Sequence, residues 1–289
     1  MDKYYSRFSA IAFWDIPNIE VTLGSEIENI NLTDITVSER DARFRVKGKR
    51  MHYCGLALPD GAIVERNGRM VASPELLFLE LAFKLSIHRL ILLGLQMCSH
   101  PVGKPSKSIT KKQKLTTFLE KTPGHLGHRK AVRAVKYIED GSASVMESIL
   151  YMILSLPHML GGYGLDGAVF NHEIRLNNER GRRLGQKRCF VDLYYKQAKL
   201  AIEYESFTYH NSPTEQGKDF IRSAMLERQG LDVIRISTIQ LYNQAAFKEF
   251  AYNLATRIGI RIHIRTPKFE EMHMFLRALL PEGNPSAAD

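Results

Sequence analysis

The residues in this chain best suited to chemistry are three carboxylates, Asp192, Glu203 and Glu205, in the stretch VDLYYKQAKLAIEYES at residues 191–206. They stand on two short runs of alternating character. In the first, Cys189, Val191, Leu193 and Tyr195 alternate with Phe190, Asp192 and Tyr194; in the second, Leu200, Ile202 and Tyr204 alternate with Ala201, Glu203 and Glu205. A period of two marks β-strands, and residues 196–199 suit a hairpin connection. Pairing Tyr195 with Leu200 sets Asp192 directly opposite Glu203, with Glu205 one step further along the same face. Opposed side chains lie roughly 4.5–5.5 Å apart at Cβ, where like charges repel. Two explanations fit. Either this is an exposed acidic strand face, or a cation offsets the repulsion. The cation suited to such oxygens is hard and divalent, Mg²⁺ or Mn²⁺, taking one or two carboxylates plus water and phosphate.

Such carboxylates need a frame, and the second half of the chain reads as one. A helix is expected over residues 143–156, with Met146, Ile149, Leu150, Ile153 and Leu154 at helical spacing, ended by Pro157 and the loop GGYG at 161–164. A strand at 169–176, a tip NNERGRRLGQKR at 177–188 and the two carboxylate strands follow. Residues 214–229 read as a helix with Gly230 as its left-handed stop, and 231–237 as a strand. Residues 240–257 read as one helix, 260–265 as a last strand from the alternation of Ile260, Ile262 and Ile264, and 269–280 as a terminal helix. This is an α/β layer arrangement. Glu147 shares a helix face with Leu150, Tyr151 and Leu154. It is either a surface acid favoured by the helix N-terminus or a carboxylate carried toward the sheet. Arg180, Arg182, Arg183, Lys187 and Arg188 precede Asp192 closely and are candidates for gripping backbone phosphates.

A length of 289 residues allows one large domain or two ordinary ones. With 44% hydrophobic and 25% charged residues the chain is of the folded class. The net charge of +9 favours a polyanionic partner, of which nucleic acid is the commonest. Cys54, Cys98 and Cys189 are widely spaced, with no CxxC or Cys/His cluster, and read as reduced core cysteines of a cytoplasmic protein. The opening MDKYYSRFSAIAFWDIP lacks the apolar run of a secretory signal. Residues 76–97 are the most hydrophobic stretch, yet they contain Glu80, Lys84, His88 and Arg89, so a buried helix pair is expected and no membrane partner. Trp14, Ile16, Ile19, Val21 and Leu23 suit one or two strands, and Ser73-Pro74-Glu75 is a helix start. Between 101 and 136, ten Lys or Arg stand against the single acid Glu120, over two expected helices at 111–120 and 129–138. That imbalance points to a phosphate-facing surface. The expected organisation is an α+β domain at 1–100, a basic helical bridge at 101–140 and an α/β domain at 141–289.

The order of these features resembles a known group. Glu147 lies in SVMESILYMILSLP, then come Asp192, IEYES at 202–206, His210, Asp219 with Arg222, and VIRIS at 233–237. This resembles the PD-(D/E)XK nuclease superfamily, and within it the small nucleases similar to very-short-patch-repair endonucleases. Their pattern runs from an Asp strand through an IExDG-like strand and a His to a D-x-x-R helix and a V-x-R-I strand. One position departs from the superfamily: Glu205 stands where E-x-K has its lysine, with Ser206 where relatives often have Gly. Upstream, residues 71–98 resemble the helical half of AbiEi-type antitoxin and regulator proteins, some of which carry a nuclease-like domain behind.

The resemblance implies a restriction-endonuclease-like α/β/α domain with a mixed sheet, and metal-assisted hydrolysis of DNA phosphodiester bonds. Asp192 and Glu203 are then the Mg²⁺ (or Mn²⁺) ligands, joined by Glu205 or the carbonyl of Tyr204, with Glu147 holding a metal-bound water or second ion. His210 is either structural or the general acid/base. Asp219 and Arg222, three apart on a helix, are either an ion pair or support for the carboxylates and a phosphate. The expected function is a DNA endonuclease acting on double strands, of a bacterial defence or mobile-element system. The competing expectation is a nuclease-like DNA-binding regulator or antitoxin that does not cut. A homodimer, or a subunit whose partner completes the site, is a further arrangement the residues allow.

Overall fold

The computed structural model describes residues 3–43, 46–175, 188–205 and 224–281. The fold is mixed α/β, and the chain divides into two compact units, one formed by residues 1–99 with 107–140, the other by 100–106 with 141–289. Among the described residues no helix is long and apolar enough to cross a membrane.

The first unit holds a five-stranded mixed sheet. Its strands are β1 (Lys3–Tyr5), β2 (Thr33–Val37), β3 (Lys49–Tyr53), β4 (Ile63–Arg66) and β5 (Arg69–Ala72), in the order β3-β2-β1-β5-β4. β4 and β5 form a tight hairpin through Asn67 and Gly68, both with positive φ, the backbone an Asn-Gly turn adopts. Between β1 and β2 the chain is helical, with α1 (Arg7–Ile11) and α2 (Ile19–Leu23), so the strands expected around Ile19–Leu23 are absent. The cause is tertiary. The Arg89 guanidinium donates to the carbonyls of Val21 and Thr22 at 3.2 and 3.0 Å, satisfying acceptors that the end of a short helix leaves open. The expected helix pair is present as α3 (Pro74–Leu81) and α4 (Ile87–Met97), and Ser73 caps α3 by accepting from the Leu76 N–H. The basic segment forms α5 (Lys112–Glu120) and α6 (His128–Val135), which pack on α3 and α4 within the same unit. Gly94 of α4 permits that approach: a Cβ there would lie 2.1 Å from Ile138 Cδ1.

The second unit is built on α7 (Val145–Ser155) and a four-stranded sheet of β6 (Ala168–Arg175), β7 (Arg188–Tyr195), β8 (Leu200–Glu205) and β9 (Asp232–Ser237) in that order. β6, β7 and β8 are antiparallel neighbours, and β9 lies parallel to β8. Ile174, Cys189, Val191, Tyr194, Ala201 and Leu226 form a buried cluster with Leu231 and Val233 against it. Gly230 has φ +80°, and the Leu231 N–H reaches back to the Leu226 carbonyl, the expected left-handed stop. Two expectations fail after β9. The single helix is two, α8 (Thr238–Tyr242) and α9 (Gln244–Arg257), because the Asn243 side chain caps the second by accepting from the Ala246 N–H at 2.9 Å. The last strand is absent: residues 260–265 carry no assigned secondary structure and pair with no strand among the described residues, although the three Ile are half-buried and Arg261, His263 and Arg265 exposed. The terminal helix is α10 (Phe269–Arg277).

Candidate functional site

The site is set by the turn between β7 and β8. Lys199 takes φ +50°, and its N–H donates to the Lys196 carbonyl, closing the chain in four residues. Tyr195 therefore pairs with Leu200, and the ladder continues through Tyr194↔Ala201 to Leu193↔Ile202. The pairing ends there; continued by one step, the same register would face Asp192 with Glu203. There the side chain replaces the ladder: the Tyr204 N–H donates to Asp192 Oδ2 at 2.8 Å. Glu203 is buried, with 6% of its surface exposed, and Asp192 is half-buried, so the two are not an acidic face in open solvent. On the other side, β9 places Arg235 beside Glu203 and Ser237 beside Glu205. Arg235 Nη1 lies 3.1 Å from Glu205 Oε1, both half-exposed to exposed. Glu205 thus has a cation in contact from the neighbouring strand. The end of β8 is fastened by Thr238, which donates to the Glu205 carbonyl and accepts from the Tyr204 hydroxyl at 2.9 Å.

Glu147 reaches this sheet by a different route. Ser144 caps α7 by accepting from the Glu147 N–H at 3.1 Å, and Glu147 Oε2 in return accepts from the Ala143 N–H at 3.0 Å. This is a variant of the capping box. The same oxygen accepts from Asn171 Nδ2 at 2.8 Å, and that nitrogen also donates to the Gly141 carbonyl at 3.0 Å. Asn171 on β6 has φ +45°, and the pairs on either side of it, Phe170↔Leu193 and His172↔Val191, set it opposite Asp192. Glu147 is buried, not a surface acid, and burial raises its pKa against the pull of these donors. The row across the sheet is Asn171, Asp192, Glu203, Arg235, with Glu147 behind its first member.

Of the other expected site residues, Arg188 is at the start of β7, exposed, 3.4 Å from Glu173 and stacked over Phe190. Arg180, Arg182, Arg183, Lys187, His210, Asp219 and Arg222 lie outside the described residues. Asn171 and Arg235 were not singled out in the sequence. Arg235 was within reach as the arginine of VIRIS, one parallel register from Glu203, whereas nothing in residue spacing marks Asn171.

Among the described residues no three His, Cys, Asp or Glu side chains are gathered as a ready cation cage. Mg²⁺ does not demand one, because it keeps several waters and binds through one or two carboxylates. The Asp192–Glu203 pair offers oxygen donors of that kind, from facing strands, at the point where side-chain pairing replaces the ladder. No family model, curated protein or solved structure matches this chain.

Proposed function

We propose that the second unit is a metal-dependent endonuclease of PD-(D/E)XK type, hydrolysing DNA phosphodiester bonds. The observation that carries this is the β7–β8 register, which sets Asp192 against the buried Glu203 where the ladder gives way to a side-chain bond. The helix–three strands–strand order, with β9 parallel to β8, supports the reading as the frame such a site needs. Asp192 and Glu203 would hold a Mg²⁺ or Mn²⁺ ion, with the Tyr204 carbonyl or Glu205, the latter in contact with Arg235, as a further oxygen donor. A bound ion of this kind polarises the scissile phosphate and makes water a better nucleophile. Arg235 supplies the positive charge that the superfamily places on the lysine of E-x-K, here delivered from β9 to Glu205. Glu147 fixes Asn171 and thereby the β6 side of the row, a positioning role rather than the second-ion role expected from its type. His210 is the proposed proton carrier, and Arg180, Arg182, Arg183, Lys187 and Arg188 the phosphate grip.

Purified protein with plasmid and linear DNA should cut in Mg²⁺ or Mn²⁺ and not in EDTA. Asp192→Asn and Glu203→Gln should each lower cleavage by more than about a hundredfold, since even groups behind metal ligands are worth roughly 10–100-fold. No cleavage under any metal, with DNA retention unchanged in both variants, ends the nuclease reading.

A second reading has its own observation. Arg235 already stands beside Glu203 and touches Glu205, so the strand carboxylates have a built-in counter-charge without any metal. The unit then binds DNA as a non-cutting regulator. In that case Arg235→Ala leaves an uncompensated acidic pair and weakens the fold, and divalent metal restores the melting temperature.

A further inference from the structure

The first unit contains a cavity lined by Tyr4, Arg7, Thr36, Cys54, Glu80 and His125, with Tyr53 and Leu126 exposed at its edge. Cys54 is the residue after β3, and its N–H donates to the Val37 carbonyl at 3.1 Å, so the backbone under the thiol is fixed by the sheet. Its sulfur lies 3.8 Å from His125 Nδ1 and 3.9 Å from the Leu56 carbonyl oxygen, so the S–H has two acceptors within reach. The other ring nitrogen, Nε2, is 3.3 Å from the Ala57 carbonyl oxygen. A carbonyl only accepts, so Nε2 carries the proton and Nδ1 presents its lone pair to the thiol. A nucleophile, a base within reach and a third group fixing the base's tautomer are the parts of an activated thiol.

The rest of the molecule makes this cysteine distinct. Cys98 and Cys189 are buried, Cys98 with its pKa raised by that burial, and Cys189 donates to the Ile174 carbonyl at 3.8 Å. Cys54 alone among them is half-buried, and it lines a cavity. Inside the cavity, Glu80 accepts from the Tyr4 hydroxyl at 2.9 Å and from the Arg7 N–H at 2.8 Å. Arg7 adopts φ +50°, a conformation a non-glycine residue holds only where surroundings enforce it. Desolvation pushes Glu80 up to about 7 against the pull of these donors. Arg7 is the one Arg or Lys among the residues lining the cavity, the cationic group a carboxylate-bearing ligand would meet.

We propose that Cys54 and His125 form a base-assisted thiol that exchanges with low-molecular-weight disulfides carrying a carboxylate, making the first unit a site of reversible mixed-disulfide formation. The Cys54 S–H proton passes to His125 Nδ1 as the sulfur attacks one sulfur of the disulfide R–S–S–R. The R–S–S–R bond breaks and a Cys54–S–S–R bond forms. The departing thiolate takes the proton from His125 and leaves as R–SH. The oxidising equivalents come from the incoming disulfide, and no other oxidant is required.

The test uses the full chain with oxidised glutathione as probe, followed by digestion and mass spectrometry of all three cysteines. One adduct, at Cys54, removed by dithiothreitol, is the expected result. His125→Gln keeps a donor for the Ala57 carbonyl but has no basic nitrogen, and should slow adduct formation at least about tenfold. Cys98 in the same digest reports folding: if it is labelled in the variant, His125→Asn replaces it, judged by the same criterion. A Cys54 that reacts at the parental rate in a folded His125 variant, or adducts on Cys98 or Cys189 instead, overturns the proposal. Neither outcome depends on whether the second unit cuts DNA.

Discussion

Glu80 and Glu147 are acids held where water is scarce, and burial is the largest influence on both, raising their pKa. The folded chain therefore keeps their protons at pH values where the unfolded chain has released them. For Glu80 that window runs from the ordinary 4.5 to about 7. Across it the native state binds more protons, so stability falls as pH rises, and the loss is complete above about 7. Of the groups whose pKa is lowered, Asp34 and His273 titrate below neutrality, and they act in the opposite sense. Asp34, held by His52 and Arg50, stabilises above its ordinary pKa and loses that contribution in stronger acid. His273, desolvated, adds stability as pH rises toward 6.5. A difference measurement removes both: between pH 5 and 8 the Tm of the parent should drop more than that of Glu80→Gln, and parallel curves would show that Glu80 does not titrate there. Asn171 offers a second check. Asn171→Ala loses the bonds to Glu147 and Gly141 and puts a Cβ-bearing residue without a local acceptor at φ +45°, whereas Asn171→Gly loses the bonds alone. Left-handed backbone costs a non-glycine residue roughly 1–2 kcal/mol, so the Ala variant should melt below the Gly variant. The pairing of Tyr195 with Leu200 was legible because a strand's period is two and a four-residue turn leaves few registers. Asn171 was not, since its role rests on a backbone angle and on partners 24 and 30 residues away.

The start of α3 was legible because a capping serine followed by proline acts locally, and Ser73 accepts from a backbone N–H of its first turn. Ser86, Ser144 and Ser237, which were not read as caps, do the same for their helices. Ser144 does more than the others, since its turn also seats Glu147 on the Ala143 N–H. Ser144→Ala should cost about 1 kcal/mol in denaturant unfolding, the usual worth of such a cap. It should also speed amide exchange at Glu147 more than Ser86→Ala speeds it at Arg89. Elements defined by distant contacts were not legible. The β-branched content of Ile19–Leu23 suggests a strand until Arg89 supplies acceptor partners for its helical carbonyls. Residues 260–265 have the burial alternation of a strand, and side-chain periodicity carries no information on whether a ladder partner exists.

Over the whole molecule the excess of positive charge is concentrated enough to be tested apart from any cleavage. On α6 and at its C-cap, Arg129, Arg133 and Lys136 recur at helical spacing and are exposed, while Ala131, Ala134 and Val135 face inward. Lys112 and Lys130 of the same basic segment are engaged, with Glu139 at 2.7 Å and with the Leu85 carbonyl at 2.8 Å, so the exposed three are the better phosphate contacts. A polyanion bound through such side chains releases counterions, and log Kobs then falls with log salt by about 0.9 for each phosphate neutralised on a duplex. Replacing Arg129, Arg133 and Lys136 together by Gln keeps good helix formers on an exposed face, so circular dichroism and Tm should barely change. If α6 faces the phosphates, the triple variant should lose affinity for duplexes of any sequence, and its salt slope should become shallower by up to about 2.7. An unchanged slope would make α6 solvated surface only, and would leave the basic residues preceding Asp192 as the contact, which Arg182→Gln with Arg183→Gln measures by the same slope.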